Sequence, residues 1–222
     1  SYKKWWTGVL INQDRSILEK LVMFMVDQFG NETNEVGSGN WAYRQQTLIR
    51  QYALGNYKNL VRDITKDLMM LRYLNGYLNV ASAPDENYAR ELMELFTIGK
   101  GPDSRYTETD VKEAAKVLTG WQINGTTWTT VFNAARHSTV NKTLSAFFNN
   151  TVITGRTGAT AGDLELNDLL NMIFAQNEVA KFIVRKFYRW FVYYSIDAAT
   201  EANVITPLAD IFRNNNYELK PM

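Results

Sequence analysis

Apolar residues recur at helical spacing along most of the chain, and this periodicity constrains the fold more than any other feature of the sequence. In the first such segment, Leu18, Leu21 and Met25 share one face. Ser16 and Glu19 have the spacing of a capping box at its start. The same reasoning predicts further helices over residues 41–54, 57–75, 85–98, 107–119, 163–175 and 177–194, and a last one after residue 206.

The period changes after Trp121. The run WQINGTTWTTVF places β-branched and aromatic residues on both sides of an Asn-Gly pair, which is a hairpin signal. Residues 30–40 and 149–162 are rich in turn formers and are predicted as loops. The sequence therefore predicts a mainly α fold, a single multi-helix domain over residues 1–222 with a small β-hairpin near residues 121–133.

Composition limits the partners that the chain can have. Lys and Arg number 24 against 23 Asp and Glu, so the formal charge of +1 gives no overall attraction to nucleic acid, and we expect no nucleic-acid partner. The absence of cysteine excludes disulfides and thiolate chemistry. No stretch approaches the about 20 apolar residues of a membrane span, so none is expected.

A charged stripe lies in the run PDENYARELMELFTIGKG. Arg90, Glu91 and Glu94 fall on one helical face, while Leu92 and Leu95 belong to another. Neighbouring carboxylates beside an arginine can act as acid and base, or can supply two ligands to a hard metal ion such as Mg²⁺ or Ca²⁺. The same residues can instead form an ion-pair network that holds helices together.

A basic row lies on the helix predicted over residues 177–194, where Arg185 and Arg189 stand four residues apart among aromatic residues. Such a mixture occurs in nucleic-acid and membrane-surface sites, but the aromatic spacing here is that of a buried helix. We therefore expect the basic row to face Glu91 and Glu94. The resulting structural ion-pair seam would consist of Arg90, Glu91, Glu94, Arg185 and Arg189.

The chain has a single histidine, His137, in the segment ARHSTVNKT. A histidine-rich zinc or iron site is thereby excluded, and a Ser–His–Asp triad could be built only around this residue. A lone loop histidine is either a hydrogen-bonded structural residue or an acid–base group. The catalytic candidates are Arg90, Glu91, Glu94, His137 and Lys142, of which Glu91 and Glu94 are also metal candidates; the sequence identifies no cofactor.

Two motifs carry a family resemblance. The pattern ENYARELMELFTLG, followed by YTE-x-DV-x-E-A-x-x-LTGW, matches residues 86–97, 106–111 and 118–121 nearly residue for residue. In these motifs the sequence strongly resembles a bacterial family described as domain of unknown function 1800. A weaker likeness extends through ALGNYKNLV, MLRYLNG, KFIVRKFYRWFV and NNNYELKP, and so over almost the whole chain.

The resemblance implies a mainly helical, exported protein of the periplasm or cell surface, whose relatives are often encoded beside sulfatase-like proteins. It also marks departures. Where relatives have W-H-N-H-F, this chain has MVDQF over residues 25–29, and where they have H-D-x-G-x-K it has His137, Ser138, Val140 and Lys142. The family pattern continues past the last residue, so we expect a truncated C-terminus and exposed apolar surface that the missing part would cover. Because the first residue is not methionine, the N-terminus is a second expected point of truncation.

These observations lead to two functional hypotheses. The first is an exported binding or assembly module, with a sulfatase-like neighbour as a protein partner. The alternative is a hydrolase or metal-dependent enzyme that uses Glu91, Glu94 and His137, with Arg90 or Lys142 holding an anionic group. An enzyme requires these side chains to converge on one accessible cleft, whereas a scaffold would bury the glutamates against arginines.

Overall fold

Helices dominate the computed structural model, which describes residues 1–30 and 32–222 and confirms the mainly α prediction. The α-helices are α1 (Tyr2–Asn12), α2 (Leu18–Gln28), α3 (Thr33–Val36), α4 (Gly39–Tyr52), α5 (Tyr57–Thr65), α6 (Leu68–Tyr73), α7 (Asn87–Glu91), α8 (Glu108–Val117), α9 (Ala161–Phe174), α10 (Asn177–Phe191), α11 (Ala198–Thr200) and α12 (Thr206–Asn214). Leu92–Thr97 and Glu201–Ile205 are π-helical, and Gly76–Leu78, Ala134–Arg136 and Ala146–Phe148 form 3₁₀ turns. Of the loop predicted over residues 30–40, Thr33–Val36 is helical and Asn31 lies outside the described residues.

A predicted capping residue starts its helix only where its side chain is not taken by another partner. At the start of α8, Thr107 and Asp110 form a reciprocal capping box. At α2 the predicted box is wrong, because the Glu19 carboxylate accepts two hydrogen bonds of 2.8 Å from the Arg50 guanidinium on α4. Ser16 then supplies only an acceptor for the backbone N–H of Leu18, at 3.1 Å.

The predicted hairpin is confirmed, and a second small one accompanies it. Strands β1 (Trp121–Asn124) and β2 (Thr129–Phe132) pair antiparallel, with Trp121 opposite Phe132. Strands β3 (Lys142–Thr143) and β4 (Val152–Ile153) form a further antiparallel pair. The second strand of that pair lies inside the loop predicted over residues 149–162, where two residues are too short a run for a sequence signal.

One hydrophobic cluster joins α2, α4, α5, α7, α8, α9, α10 and α12. On α10 only the first half is buried, since Ile183 is covered while Trp190 is 45% exposed. An apolar groove of about 530 Å³ lies beside that exposed half. No helix in the described part of the chain is both long and apolar enough to cross a membrane.

The helix predicted over residues 85–98 changes its winding midway. The amide N–H groups of Ile98 and Gly99 both donate to the Met93 carbonyl at 2.9 Å, so the turn is wider than in an α-helix. This rotation exposes Leu95 (47%), which was predicted on the apolar face. It also removes the Leu95 carbonyl from its usual α-helical acceptor role, because the N–H of Gly99 is used elsewhere.

Candidate functional site

His137 and Lys142, two of the predicted candidates, meet at a third residue, Glu165. The Nε2 atom of His137 lies 3.1 Å from one Glu165 carboxylate oxygen, and Lys142 Nζ donates to the other at 2.5 Å. All three side chains are at most 1% exposed. The histidine follows the Ala134–Arg136 turn, the lysine begins β3, and the glutamate comes from the first half of α9.

Further hydrogen bonds hold this cluster of His137, Lys142 and Glu165, the buried triad, in place. Lys142 Nζ also donates to the Ser138 carbonyl at 2.6 Å, and the Arg156 backbone N–H donates to Glu165 at 2.6 Å. His137 Nδ1 lies 2.9 Å from the Thr119 carbonyl oxygen. The other ring nitrogen, Nε2, is the one that faces the Glu165 carboxylate.

The triad is built to hold a charge rather than to react. Burial alone would raise the pKa of Glu165, but the His137 ring, the Lys142 ammonium and the Arg156 N–H together hold that pKa below its usual range. A substrate atom cannot reach side chains with no exposed surface. The triad therefore acts as an internal cross-link between α9, β3 and the segment before β3.

Sequence reasoning missed Glu165, although a signal for it was present. Ala161, Leu169 and Met172 stand at positions i−4, i+4 and i+7 from it, and all are buried. A glutamate in the apolar stripe of a helix requires a buried partner. The sequence could not identify His137 and Lys142 as the partners of Glu165, because their contact depends on how α9 packs.

The predicted stripe on α7 forms its own surface cluster. Arg90 binds Glu108 at 2.7 Å and Glu86 at 3.1 Å, and it lies 3.9 Å from Glu94, which in turn is 3.1 Å from Lys100. Burial and the neighbouring carboxylate of Glu94 raise the pKa of Glu91. Within residues 1–30 and 32–222, no three acidic or histidine side chains are grouped so as to hold a metal ion, so no third carboxylate or imidazole joins Glu91 and Glu94.

The predicted seam between this stripe and Arg185 is wrong. The Arg185 guanidinium binds both carboxylate oxygens of Glu201, at 2.9 and 2.6 Å, and Glu178 at 2.5 Å. Glu178 lies two turns earlier on α10 itself, and Glu201 begins the π-helical turn that follows α10 in sequence, so both partners are close to Arg185 along the chain. Arg189 is exposed and lines a cavity instead.

That cavity, the Lys186 pocket, has a volume of about 300 Å³ and lies between α2, α10 and the π-helical turn. Its walls combine cations, aromatic rings and polar groups. They consist of Phe24, Asp27, Gln28, Leu95, Lys186, Arg189 and Trp190. Asp27 and Gln28 belong to the run MVDQF over residues 25–29, which the family resemblance marked as a departure, so the pocket joins this run to the basic row of α10.

Lys186 is held by the carbonyl that the π-helix releases. Its Nζ donates to the Leu95 oxygen at 2.7 Å, as does Nε2 of Gln28, also at 2.7 Å. The ammonium lies 4.5 Å from the centre of the Phe182 ring. Burial lowers the pKa of Lys186 to about 8, and Asp27 opposes this shift only by longer-range attraction.

The apolar groove beside the pocket offers less chemistry. Its lining contains Lys220 as a charged residue, and its other walls are almost entirely aliphatic and aromatic. Specific ligands require polar groups that converge on one point. The Lys186 pocket supplies such groups, and we take it as the candidate functional site.

The fold and the site together define a mainly helical protein with a cationic pocket at the contact of two helices. A family model described as "Protein of unknown function (DUF1800)" matches residues 1–222 of this chain. The chain therefore belongs to that family, and the resemblance drawn from its motifs is confirmed. No curated protein and no solved structure matches it.

Proposed function

We propose that this protein is a binding module that holds a small organic anion in the Lys186 pocket. The observation that carries the proposal is the charge of the pocket: Lys186 and Arg189 line one cavity together with Asp27. Cations outnumber carboxylates there, so the pocket favours a ligand of negative charge. This function is a specific form of the binding role expected from the sequence.

The state of Lys186 supports an anionic ligand. Its nearest partner is a neutral carbonyl oxygen, and burial lowers its pKa. A partly buried cation whose carboxylate neighbour, here Asp27, is not in hydrogen-bond contact is held at a cost in free energy. A carboxylate in the pocket would offset that cost, which gives a ligand anion more affinity here than on the open surface.

The aromatic wall narrows the class of anion. Trp190 is 45% exposed and packs against Phe24, with ring centres 5.7 Å apart. A flat ligand can stack on such a ring while its charged end contacts the cations. An aromatic carboxylate satisfies both walls at once.

Calorimetric titration with benzoate tests this function. We expect benzoate to bind and benzyl alcohol and benzylamine to bind at least about tenfold more weakly, because they lack the carboxylate. Lys186→Gln and Arg189→Gln should each weaken benzoate binding by about tenfold. Lys181→Gln, on the same helix and outside the pocket, is the matched control and should leave it unchanged.

Equal binding of benzoate and benzyl alcohol would overturn the proposal, since the site would then recognise only the ring. Binding that survives both cation substitutions would place the anion elsewhere. The expected export and the sulfatase-like partner are separate expectations from the family resemblance, and the pocket does not depend on them. The alternative enzyme gains no support from the contacts described, because those of His137 lead to Glu165 rather than to Glu91 or Glu94.

A further inference from the structure

We propose that Lys186 forms a reversible imine with a 2-oxo acid bound in this pocket. The inference rests on the proposed function and adds to it the ligand class and a covalent step. A 2-oxo acid carries a carboxylate directly beside a ketone. It therefore matches a site that presents one cation for charge and one amine for covalent attachment.

The first requirement is an amine that is both positioned and able to lose its proton. The Leu95 carbonyl holds one N–H of Lys186 at 2.7 Å, which fixes the end of a side chain that is otherwise flexible. Since its pKa is about 8, roughly a tenth of Lys186 is the neutral nucleophile at neutral pH. In that neutral form an N–H of Lys186 can still donate to the Leu95 oxygen, which leaves the nitrogen lone pair for reaction.

The second requirement is a separate anchor for the carboxylate. Arg189 lies three residues after Lys186 on α10, so both side chains leave the same side of the helix, and both line the cavity. A guanidinium can bind a carboxylate through two parallel hydrogen bonds. Its hold on the carboxylate would bring the adjacent ketone carbon to the amine.

The third requirement is a group that moves protons. Asp27 faces the pocket from α2, close enough to Lys186 to influence its pKa. The Nζ lone pair attacks the ketone carbon, and the carbonyl electron pair moves to oxygen, which takes a proton from solvent water. Nitrogen then loses a proton to the Asp27 carboxylate, and Asp27 passes it to the hydroxyl, which leaves as water while the nitrogen lone pair forms the C=N bond. The protonated imine finally returns its remaining N–H proton to solvent. Amine plus ketone thus gives imine plus water, with no oxidant or reductant needed.

Two other lysines with buried or half-buried side chains, Lys142 and Lys58, lack this combination. Lys142 is bound to the Glu165 carboxylate and has no exposed surface. Burial also lowers the pKa of Lys58, but that side chain donates to Asn171 at 2.6 Å and lines a different cavity. Lys58 is therefore the internal control for a lysine of lowered pKa without the neighbouring Arg189 and Asp27.

Trapping with pyruvate and sodium cyanoborohydride tests the inference on the full chain. The reductant converts an imine into a stable amine, and peptide mass spectrometry locates it. We expect one reduced pyruvate adduct, on Lys186, with acetone giving about tenfold less because it lacks the carboxylate. Lys186→Arg should abolish the adduct, Arg189→Gln should reduce it about tenfold, and Lys181→Arg should leave it unchanged.

The outcomes separate the inference from the function on which it rests. If pyruvate or benzoate binds reversibly but no adduct forms on Lys186, the imine is refuted and the anion site stands. If neither anion binds, both are refuted. An adduct shared equally among Lys186, Lys58 and surface lysines also overturns the inference. The melting temperature of Lys186→Arg should equal that of the unsubstituted protein. This control shows that the variant loses the adduct without losing its fold.

Discussion

Two lysines of this protein, Lys142 and Lys186, show how the partner of a buried amine decides its role. Lys142 has no exposed surface and binds the carboxylate of Glu165. Lys186 is partly buried and binds a neutral backbone carbonyl, and its pKa falls to about 8. A carboxylate offsets the cost of burying the ammonium, whereas a carbonyl does so only in part. Lys142 therefore stabilises the fold, whereas Lys186 can bind an anion or react as an amine.

Removing the carboxylate from the buried triad should have the largest effect. Glu165→Gln leaves the Lys142 ammonium buried without a counter-charge, so we expect the free energy of unfolding to fall by about 3–5 kcal/mol. Denaturant unfolding measures it. Asp163→Asn is the matched control, since Asp163 lies on the same helix but its pair with Lys66 leaves it 50% exposed. That change should cost about 1 kcal/mol or less, and equal losses would show that burial does not set the value of these pairs.

The two lysine sites should also respond to pH in opposite parts of the range. Lys186 has a folded pKa of about 8, below its ordinary value of 10.5. Between these values the folded protein has released the proton and the unfolded chain still holds it, so stability rises with pH in that window. We expect a gain of about 1–3 kcal/mol relative to Lys186→Met, measured by denaturant unfolding at pH 7.5 and 10.

Glu165 sets the dependence of stability on pH in the acid range. Its folded pKa lies below the usual value of 4.5, so its contribution is fully present above that pH and is lost as pH falls through the folded pKa. Glu165→Gln should therefore flatten the acid limb and leave the alkaline rise intact. An alkaline rise that persists in Lys186→Met would assign it to another group.

The smallest expected effect separates the two arginines of α10. Arg185→Gln breaks the contacts to Glu178 and Glu201 and should lower the free energy of unfolding by about 1 kcal/mol. Arg189→Gln should change it by less than about 0.5 kcal/mol, because this side chain is exposed. Benzoate binding should show the reverse order. If both substitutions lower stability equally, Arg189 has a structural partner and the ligand role loses its support.

Local signals in the sequence predicted much of the fold, because helix periodicity and capping act over short spans. The Thr107 box, the hairpin after Trp121 and most helices are set by neighbours in the chain. The Ser16 box failed because Glu19 prefers Arg50, a partner brought near only by the packing of α2 on α4. Local pattern therefore predicts an element more reliably than it predicts the end of one.

The site was less accessible to sequence reasoning for the same reason. His137 and Lys142 were recognised by residue type, but their common partner Glu165 comes from a helix twenty or so residues further on. Arg185 was assigned to the wrong carboxylates, since charge pattern alone cannot rank several possible partners. Lys186 carried no signal of its own, because its environment depends on the winding of another helix.

The π-helical winding of Leu92–Thr97 fixes how many residues this helix must contain. The turn over Leu92–Thr97 holds an additional residue compared with an α-helix, as a single-residue insertion would produce. Deleting one residue there would give a shorter helix of regular winding, in which the Leu95 carbonyl would be taken by the helix itself. Between Tyr88 and Gly99, then, the number of residues matters as much as their identity. A chain with one residue fewer there would keep the helix but would lose the free Leu95 carbonyl that accepts from Lys186.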